Sequence, residues 1–554
     1  MRPRAATRGH REDDPLNRWL PLAALALAQF VMVLDQAVMN VAISQLVEDF
    51  DTTVTTIQGV ITLYTLVMAM FMLTGGKIGD IIERKRAFVI GLVIYASGSA
   101  LTAISGSVLT LALGWSVLEG LGAALVLPAL AALIAGNFEG KERVTAYAII
   151  GGTAGAGIAV GPILGGWATT VLSWRIVFVG EVLLVIAILA LVRYVADSPR
   201  EGRKPSLDLV GAALSALGLG AVVLGILVSS SWGFIQPKDS PIEPLGFSLT
   251  PFVIGAGVVL LYAFVRWSRR REALGQDPLV HLGLLRIVTL RAGLGNLLAQ
   301  NLVLMGIFFV VPLYLQLVLG FDALDTGIRM LPVSIAMFVT SALGARLGAR
   351  FSVRGIVRAG LIIDALAIVV LIAAIDPELA GFVFGLAMAL LGVGMGLLAS
   401  QLGNVVQSSV DASGRSEAGG LQYTSQQLGS SLGVALIGAV VIVGLSTNFF
   451  STVATDERIS SEVTAGVATA LDGSVEFWSA DDVAVAVAAS SIPPDEGVAV
   501  VENYAASQLM ALKTGLLVAA GVALAALLFT RVPRRDPDED QTSPETALSP
   551  AAPG

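Results

Sequence analysis

The sequence contains no cysteine, only two histidines and few charged residues. Without cysteine the chain has no disulfide, no thiolate nucleophile and no thiolate ligand for a metal. His10 and His281 lie outside the apolar runs and offer little for imidazole or metal chemistry, so we expect no metal site. Charged residues make up 14% of the chain, against about 25% in a typical soluble domain. These shortages argue against a thiol enzyme, a zinc module and an ordinary soluble domain.

The chain is instead rich in apolar residues, at 55%, and has a mean hydropathy of +0.80. Fourteen apolar segments are long enough to approach the thickness of a bilayer core at about 1.5 Å per helical residue. We therefore predict an all-α integral membrane protein with 14 transmembrane helices. The segments lie at about 19–43, 57–75, 87–104, 108–133, 143–170, 176–195, 208–228, 250–267, 292–319, 327–348, 355–374, 379–400, 424–447 and 509–530.

The distribution of charge predicts the orientation in the membrane. Basic clusters such as Arg84–Arg86 and Arg269–Arg271 fall in every second loop. The loops between them carry mostly acids, among them Asp49 and Asp322. Since cytoplasmic loops carry an excess of Lys and Arg, both termini are predicted to be cytoplasmic.

The segments also predict a domain organisation, with a basic inner loop as the junction between two halves. The predicted parts are a cytoplasmic tail (1–18), a six-helix bundle (19–196), a linker with two extra membrane helices (197–290), a second six-helix bundle (291–530) and a disordered cytoplasmic tail (531–554). Within the second bundle, residues 449–507 form an acidic outer segment. It could cover the outer mouth or be a tolerated insertion, since long loops accept insertions at low cost.

Asp35 stands near the end of the first apolar segment. A carboxylate inside a membrane costs about 2.5–3.5 kcal/mol on insertion scales, so it should face a cavity or a partner. The functional interpretation is that Asp35 binds a proton. The structural alternative is a carboxyl group hydrogen-bonded inside the bundle.

Two glycine-bearing stretches predict where helices approach closely and move. The loop Gly76–Arg86 has small residues followed by Asp80, Arg84 and Lys85, which could form an ion-pair latch or be ordinary inner-loop charge. Segment 151–166 contains Gly157, Gly161 and Gly165 at four-residue spacing, with Pro162 and Gly166. The spacing gives a flat packing ridge and Pro162 permits a bend, although such ridges are common in membrane helices. We predict that these residues form the conformational gate.

These motifs resemble the major facilitator superfamily, in its fourteen-span drug:proton antiporter branch. Leu34-Asp35 with Asn40 is similar to the first-span motif, in which the aspartate is associated with proton coupling. Gly76–Arg86 resembles the cytoplasmic loop motif, and Gly157–Gly166 the antiporter motif of span 5. The resemblance implies the major facilitator fold, with two six-helix bundles, two inserted central helices and alternating access.

The chain departs from the family pattern at the polar positions of the first half. Where the family has a span 4 arginine and a following glutamine, Ser116 and Glu119 align, and Glu181 replaces a span 6 asparagine. Buried carboxyl groups without a cation favour their protonated form, because of desolvation and like-charge repulsion. We therefore hypothesise that a cationic or amphiphilic substrate competes with protons at Asp35, Glu119 and Glu181. Glu119 could instead make only an interhelical hydrogen bond, and Glu181 could reach the outer interface.

The second half supplies the remaining candidates. Neutral and aromatic side chains on span 9, with Asn40 from span 1, are predicted to line the substrate cavity, although packing or lipid contact is the alternative for most of them. They are Asn40, Gln300, Asn301, Met305, Phe308 and Tyr314. Asp364 on span 11 is either a further proton-coupling site or the partner of Arg354 or Arg358.

Together these observations predict proton-coupled export of small, cationic or amphiphilic compounds from a bacterial plasma membrane. The alternatives are a dedicated exporter of an envelope lipid or endogenous metabolite, and a proton-coupled uptake symporter. An enzyme is disfavoured because the sequence has no His-Glu-x-x-His motif and no phosphate-binding glycine loop. We expect a monomer that is driven by the proton motive force without a cofactor, with substrate, protons and lipid as its partners and no nucleic acid.

Overall fold

The computed structural model describes residues 15–138, 140–197, 206–238, 240–348, 350–410, 414–471 and 475–530. Within those ranges the chain is helical and contains no strand, and fourteen helices are long and apolar enough to cross a membrane. The predicted all-α class and the number of spans are confirmed. Most of the first predicted tail and all of the last lie outside the described residues. The helices are α1 (Trp19–Val41), α2 (Val54–Ile82), α3 (Arg84–Ala103), α4 (Val108–Ile134), α5 (Ile149–Val171), α6 (Arg175–Tyr194), α7 (Leu209–Trp232), α8 (Thr250–Ala273), α9 (Val288–Val318), α10 (Ala323–Gly348), α11 (Val353–Ala374), α12 (Gly381–Ser408), α13 (Glu417–Thr455) and α14 (Pro494–Thr530).

Helices α1–α6 and α9–α14 form two bundles, and α7 and α8 lie beside the seam between them. Leu66 of α2, Val223 and Leu227 of α7, and Ala435 of α13 form one buried apolar cluster. The inserted pair therefore contacts both bundles through α7. Helix α8 packs on α7 and presents Val259 and Tyr262 outward, as expected for a surface that faces lipid.

Several helices are longer than their apolar segments predict, and α13 and α14 exceed them by the largest margins. Helix α13 extends beyond the predicted 424–447 in both directions, and α14 begins at Pro494, fifteen residues before the predicted start at 509. Hydropathy marks only the part of a helix that contacts the membrane interior. The polar extensions are rich in alanine, glutamate and other residues that a helix accepts. Parts of the predicted outer segment 449–507 therefore belong to α13 and α14.

The rest of the outer segment folds back onto α14. It contains two short helices, Ser461–Ala470 and Ala480–Ala488. The backbone N–H of Trp478 donates to the hydroxyl oxygen of Tyr504 on α14 (2.7 Å), and that hydroxyl donates to the carbonyl of Glu476 (2.9 Å). Tyr504 thus helps to fix the segment to the second bundle.

Ion pairs also fix the same segment to α14, at the turn that directly follows α13. Arg458 lies 2.8 Å from Asp456 and 2.6 Å from Glu502 of α14. Hydrogen bonds from Arg458 hold the pKa of Asp456 well below its usual range. These contacts all lie within the second bundle. The outer segment therefore packs on α13 and α14 and does not connect the two bundles across the outer mouth.

The two ends of the helical array differ in charge. We call the end that carries Arg84 and Arg271 the basic end, and the end that carries Asp49 and Asp322 the acidic end. At the acidic end the bundles touch. The side-chain amide of Gln316 on α9 donates to the carbonyl of Val41 on α1 (2.9 Å). This contact closes the seam at that end.

Helices α5 and α10 reinforce the closure at the acidic end. The backbone N–H of Leu324 donates to the hydroxyl of Thr170 (3.2 Å). A Cβ atom at Gly166 would overlap the carbonyl of Ala323, and one at Gly327 would overlap the carbonyl of Pro162. Only glycine permits these two helices to approach so closely.

Candidate functional site

Three carboxyl groups meet in the interior of the first bundle. Asp35 comes from α1, Glu119 from α4 and Glu181 from α6, and each is at most 1% exposed. One oxygen from each lies within 4.8 Å of the other two. The three acids that the sequence predicted separately therefore form one cluster. Glu181 does not reach an outer interface, which removes one of the alternatives open at the sequence level.

Neutral donors surround this carboxyl cluster. The indole N–H of Trp115 lies 2.8 Å and 3.0 Å from the two oxygens of Asp35. The hydroxyls of Tyr95 (3.3 Å) and Ser99 (3.1 Å) donate to Oε2 of Glu181. The hydroxyl of Thr102 donates to Glu119 (3.4 Å). Helix α3 thus supplies the donors for both glutamates.

A local widening of α4 brings its residues to the cluster. Residues Ala112–Glu119 form a π-helix, which is rare and occurs mostly at functional sites. Trp115 and Glu119 both point inward from this segment, and Trp115 stacks on Tyr64 with ring centroids 4.7 Å apart. Ser116, at the position of the family arginine, donates to the carbonyl of Val60 (2.8 Å). At the position where the family has an arginine, this chain therefore has a serine that joins α4 to α2 by a hydrogen bond.

The cluster contains no base to balance its charge. Among the described residues no cation pairs with Asp35, Glu119 or Glu181, and one oxygen of each glutamate has no hydrogen bond. Three negative charges at this separation in a buried site are not stable without compensation. Either bound protons or a bound cation would supply that compensation. Three carboxylate oxygens are also ligands that a hard cation such as Na⁺ or Ca²⁺ prefers, so these residues could hold one.

A separate cavity lies between the bundles. Its volume is about 270 Å³, and α1, α5, α9, α10, α12 and α13 contribute to its wall. Met32, Met305, Met337 and Phe308 supply an apolar part. The polar part is dominated by amide side chains, namely Gln29, Gln36, Gln300, Asn301, Gln422, Gln426 and Gln427. None of the described side chains that line it is an acid or a base of the Asp, Glu, Lys, Arg or His type.

The cavity lies on the basic-end side of the closed seam. Along α1 it is lined by residues 29–37, before the contact at Val41, and along α9 by residues 297–308, before Gln316. Along α10 it is lined by Met337 and Ser341, which follow the contacts at the acidic end. This conformation is therefore shut at the acidic end.

Helix α1 separates the cavity from the carboxyl cluster. Gln29, Met32 and Gln36 line the cavity, whereas Asp35 is fully buried on the side that faces α4 and α6. No carboxyl group of the cluster is part of the cavity wall. The hypothesis that a cation meets the protons directly at these acids is therefore not supported by this conformation.

Four of the six predicted cavity residues line the cavity, and two do not. Gln300, Asn301, Met305 and Phe308 are in its wall. Asn40 instead donates to the carbonyl of Gln36 within α1 (2.7 Å). The Tyr314 hydroxyl donates to the carbonyl of Asp376 (2.7 Å) near the acidic end.

Sequence reasoning missed the amides that the first bundle and α13 contribute to the wall. Gln29 and Gln36 lie within the first apolar run, and Gln422 precedes the predicted start of span 13 at residue 424. A signal was present, since a glutamine within an apolar membrane segment is costly unless it has a partner or faces a cavity.

Asp364 is isolated from the other acids. It is 1% exposed on α11, and its Oδ1 makes no hydrogen bond. The Arg358 guanidinium donates instead to the hydroxyl of Thr530 on α14 (2.9 Å), and no ion pair joins Asp364 to either arginine in the described chain. The interpretation as an arginine partner is wrong for this conformation, and the interpretation as a proton site stays a prediction.

The predicted gate residues occupy both ends. Gly157, Gly161 and Gly165 form the ridge that packs on α1, where added Cβ atoms would meet Val33 at 3.1 Å, overlap Ala37 and meet Val38 at 3.0 Å. The ridge thus ties α5 to the helix that carries Asp35. Pro162 and Gly166 contact α10 at the acidic end, as described above.

At the basic end the predicted latch is local. Asp80 pairs with Arg84, four residues away (3.2 Å), and the Lys85 ammonium donates to the carbonyl of Val195 in the first bundle (2.7 Å). Gly76 lies against Pro128, also in the first bundle. In this conformation these contacts do not reach the second bundle, so the prediction of a latch across the seam stays untested.

Known proteins match this chain over most of its length. The family model described as Major Facilitator Superfamily matches residues 25–434. The puromycin resistance protein pur8 of Streptomyces alboniger is 32% identical over 84% of this chain and 88% of its own length. The tetracenomycin C resistance and export protein of Streptomyces glaucescens is 28% identical, covering 76% of each chain. The multidrug efflux pump LfrA of Mycolicibacterium smegmatis is 26% identical over 77% of this chain and 81% of its own.

Two solved structures share the arrangement of helices. A bacterial homolog of the human lysosomal transporter Spinster, crystallised in an inward-facing and unoccupied conformation, matches with a TM-score of 0.59 at 16% identity, over 94% of this chain and 98% of that one. The human organic anion transporter MFSD10 matches with a TM-score of 0.54 at 13% identity, over 94% and 100%. At these identities the likeness concerns the fold.

Proposed function

We propose, on the premise that this chain belongs to the major facilitator superfamily, that it exports small amphiphilic molecules in exchange for protons. The predicted family and fold are confirmed by the match over residues 25–434 and by the structural neighbours. Relatives named for antibiotic resistance and multidrug efflux support export as the direction of transport. The chain is a multi-pass membrane protein, and we place its basic end and both termini in the cytoplasm.

The observation that carries the proposal is the carboxyl cluster. Asp35, Glu119 and Glu181 are buried together with neutral donors and no described base. A site of this kind takes up and releases protons as its exposure to the two sides of the membrane changes. We assign proton coupling to these three residues, with Asp35 as the member that connects to the substrate side through α1.

Helix α1 is the physical link between the two sites. A change in the charge of Asp35 alters its bonds with Trp115, and thereby the seating of α1 against α4. The same helix supplies part of the cavity wall and contacts α9 at the closed end. Protonation and substrate binding therefore bias one moving element from opposite faces, which is what thermodynamic coupling between two sites requires.

The proton gradient is sufficient for export. Inward movement of one proton yields about 2.3 kcal/mol per 100 mV, and about 1.4 kcal/mol per pH unit. One or two protons therefore sustain a tenfold to several-hundredfold gradient of a neutral substrate. If the exported substrate is a cation, the exchange moves less net charge, so the membrane potential contributes less free energy to export.

The test is transport in proteoliposomes with an imposed pH gradient, comparing the wild type with Asp35→Asn. A fluorescent cation such as ethidium and a radiolabelled neutral drug serve as probes. We expect gradient-driven accumulation in the wild type and its loss in Asp35→Asn. Asp208→Asn is the matched control, since Asp208 is also a buried carboxylate but lies at the junction between the bundles, where it accepts a hydrogen bond from Trp267.

Four outcomes would contradict parts of the proposal. Accumulation that persists in Asp35→Asn would move coupling to Glu119, Glu181 or Asp364. Transport driven by a sodium gradient without a pH gradient would make the cluster a cation site. Movement of the substrate together with protons would indicate an uptake symporter, and a deletion strain that accumulates an envelope lipid or metabolite would indicate a dedicated exporter.

A further inference from the structure

We propose that the cavity binds uncharged aromatic molecules that carry hydroxyl or amide groups, and that Gln29 and Gln427 hold them, one from each bundle. This inference deepens the proposed export function and rests on it for the direction of transport. It names the class of substrate and two binding residues that the sequence analysis did not assign to the cavity. It also replaces the expectation of a cationic substrate.

The first argument concerns charge. The described wall of the cavity offers amides, a serine, a tyrosine and apolar groups, but no carboxylate. A cation that enters it loses water and gains no opposite charge, which is costly in a site of low polarity. The nearest candidates for a counter-charge, the acids of the carboxyl cluster, lie behind α1. An uncharged molecule pays no such penalty.

The second argument concerns hydrogen bonds. Gln29 and Gln427 are each 7% exposed, and in each the amide oxygen Oε1 is buried without a hydrogen bond. An unmet acceptor of this kind costs about 1–3 kcal/mol. The terminal torsion of a glutamine side chain turns over a broad range, so both amides can present this oxygen to a ligand in the cavity. A ligand hydroxyl or amide N–H supplies the missing donor.

The third argument concerns shape. The wall that Gln29 and Gln427 share also includes Met32, Met305, Met337 and Phe308. Methionine is flexible and polarisable, so it adapts to flat aromatic rings of different outline. A volume of about 270 Å³ lies just below the range of about 300–1,000 Å³ that is typical of small-molecule sites. The combination fits a compact aromatic body with polar groups at two edges.

The experiment measures binding to the purified full-length protein in detergent by isothermal titration calorimetry. The neutral probes are chloramphenicol and tetracenomycin C, and the cationic probes are ethidium and tetraphenylphosphonium. We expect at least one neutral probe to bind more tightly than both cations. Gln29→Leu and Gln427→Leu are each expected to weaken its binding about 5- to 30-fold. Gln45→Leu, a change of the same kind outside the cavity, should have no effect.

Gln427→Glu gives a second test that does not depend on the folding of the leucine variants. It places a carboxylate in the wall, so it should reverse the preference and tighten ethidium binding relative to the neutral probe. Tighter binding of both cations to the wild type, or neutral binding that is unchanged in both leucine variants, would overturn the inference. A third result would separate the two proposals. If a neutral probe binds and its binding depends on Gln29 and Gln427, but no proton gradient drives its transport, the export function is rejected and the assignment of the binding residues stands.

Discussion

Trp115 is the residue that fixes Asp35 in the carboxyl cluster. Its indole donates to both oxygens of Asp35 and its ring stacks on Tyr64 with an interplanar angle of 7°. Hydrogen bonds to a charged group contribute about 1.5–3 kcal/mol. Trp115 therefore fixes the rotamer of the carboxylate and couples α4 to α1.

Replacing Trp115 by phenylalanine should separate transport from binding. Trp115→Phe keeps a ring against Tyr64 but removes the donor to Asp35, so the carboxylate loses its fixed position. We expect gradient-driven transport to fall about tenfold or more, because α1 no longer responds to the charge of Asp35. Substrate affinity, measured by titration, should change less than twofold, since Trp115 is not in the cavity wall.

Trp267→Phe provides the matched control. Its indole also donates to a buried aspartate, Asp208 (2.9 Å), but at the junction between the bundles. This variant should keep the transport rate within about twofold of the wild type. Equal losses in both variants would show that indole–carboxylate bonds matter only for stability.

At this scale the sequence predicts the acids better than their partners. Asp35, Glu119 and Glu181 stand out because carboxylates are rare in apolar segments. Trp115 and Tyr95 do not stand out, because an aromatic residue in a membrane helix is ordinary. Their role depends on the three-dimensional meeting of α1, α3, α4 and α6, for which the sequence contains no local signal.

Among the helices, α5 and α10 form one of the close contacts between the bundles. The glycine spacing of α5 predicts that some helix packs closely there, and the structure identifies two partners. Gly157, Gly161 and Gly165 pack on α1, while Gly166 faces α10. Gly327 of α10 completes the contact, and nothing in its sequence context marks it.

Adding a methyl group at Gly327 should open the acidic end. In Gly327→Ala the new Cβ overlaps the Pro162 carbonyl, so the closed contact is destabilised by about 1–3 kcal/mol. Since the chain has no native cysteine, Thr326→Cys can be introduced as a unique reporter on α10 beside the closed contact, at a buried position whose hydroxyl makes no hydrogen bond. We expect maleimide labelling of this cysteine to accelerate about fivefold or more in Gly327→Ala.

Gly152→Ala on α5 is the control for this measurement. A Cβ at Gly152 meets no atom within 4 Å, so labelling should match the unsubstituted reporter. An unchanged labelling rate in Gly327→Ala would mean that the α5–α10 contact does not determine closure.

The π-helix in α4 is the element that the sequence does not predict. Residues Ala112–Glu119 continue an ordinary apolar pattern, and the widened turn is stabilised by packing rather than by local preference. Cβ atoms at Gly98 and Gly114 would lie 2.6 Å from atoms of the facing helix, so α3 approaches α4 without room for side chains. Glycines are frequent along the chain, so their presence alone does not indicate which of them allow two helices to approach this closely.

For the whole molecule, the closed acidic end implies that transport requires the bundles to separate there. Thr170 and Leu324 face each other across the seam, with the Leu324 N–H 3.2 Å from the Thr170 hydroxyl. A disulfide requires Cα atoms about 4.4–6.8 Å apart, and this contact makes the two positions candidates for a cross-link across the seam. Oxidation of Thr170→Cys/Leu324→Cys should abolish gradient-driven transport while ligand binding from the basic end persists.

Reduction should restore transport in the double variant, and each single cysteine should behave as the wild type under oxidation. Mass spectrometry of the oxidised protein confirms that the bond has formed. Full transport in the disulfide-bonded protein would rule out separation of α5 and α10 as a step of the cycle.

The overall architecture is largely predictable, and the position of the cavity is not. Length and hydropathy are additive along the chain, so they yield fourteen spans and an estimate of each boundary. The cavity depends on how two bundles lean against each other. Tyr314 and Asn40 were expected in its wall because of their polarity and depth, yet packing turns both away.

The position of α1 between the proton site and the cavity has an evolutionary consequence. Under the proposed function, selection for a new substrate would act on Gln29, Met32 and Gln36, which share no hydrogen bond with the acids behind them. Single substitutions on that face can change the cargo while the energy source stays intact. Descendants of one ancestral exporter that all keep the carboxyl cluster can then diversify rapidly in the compounds they expel.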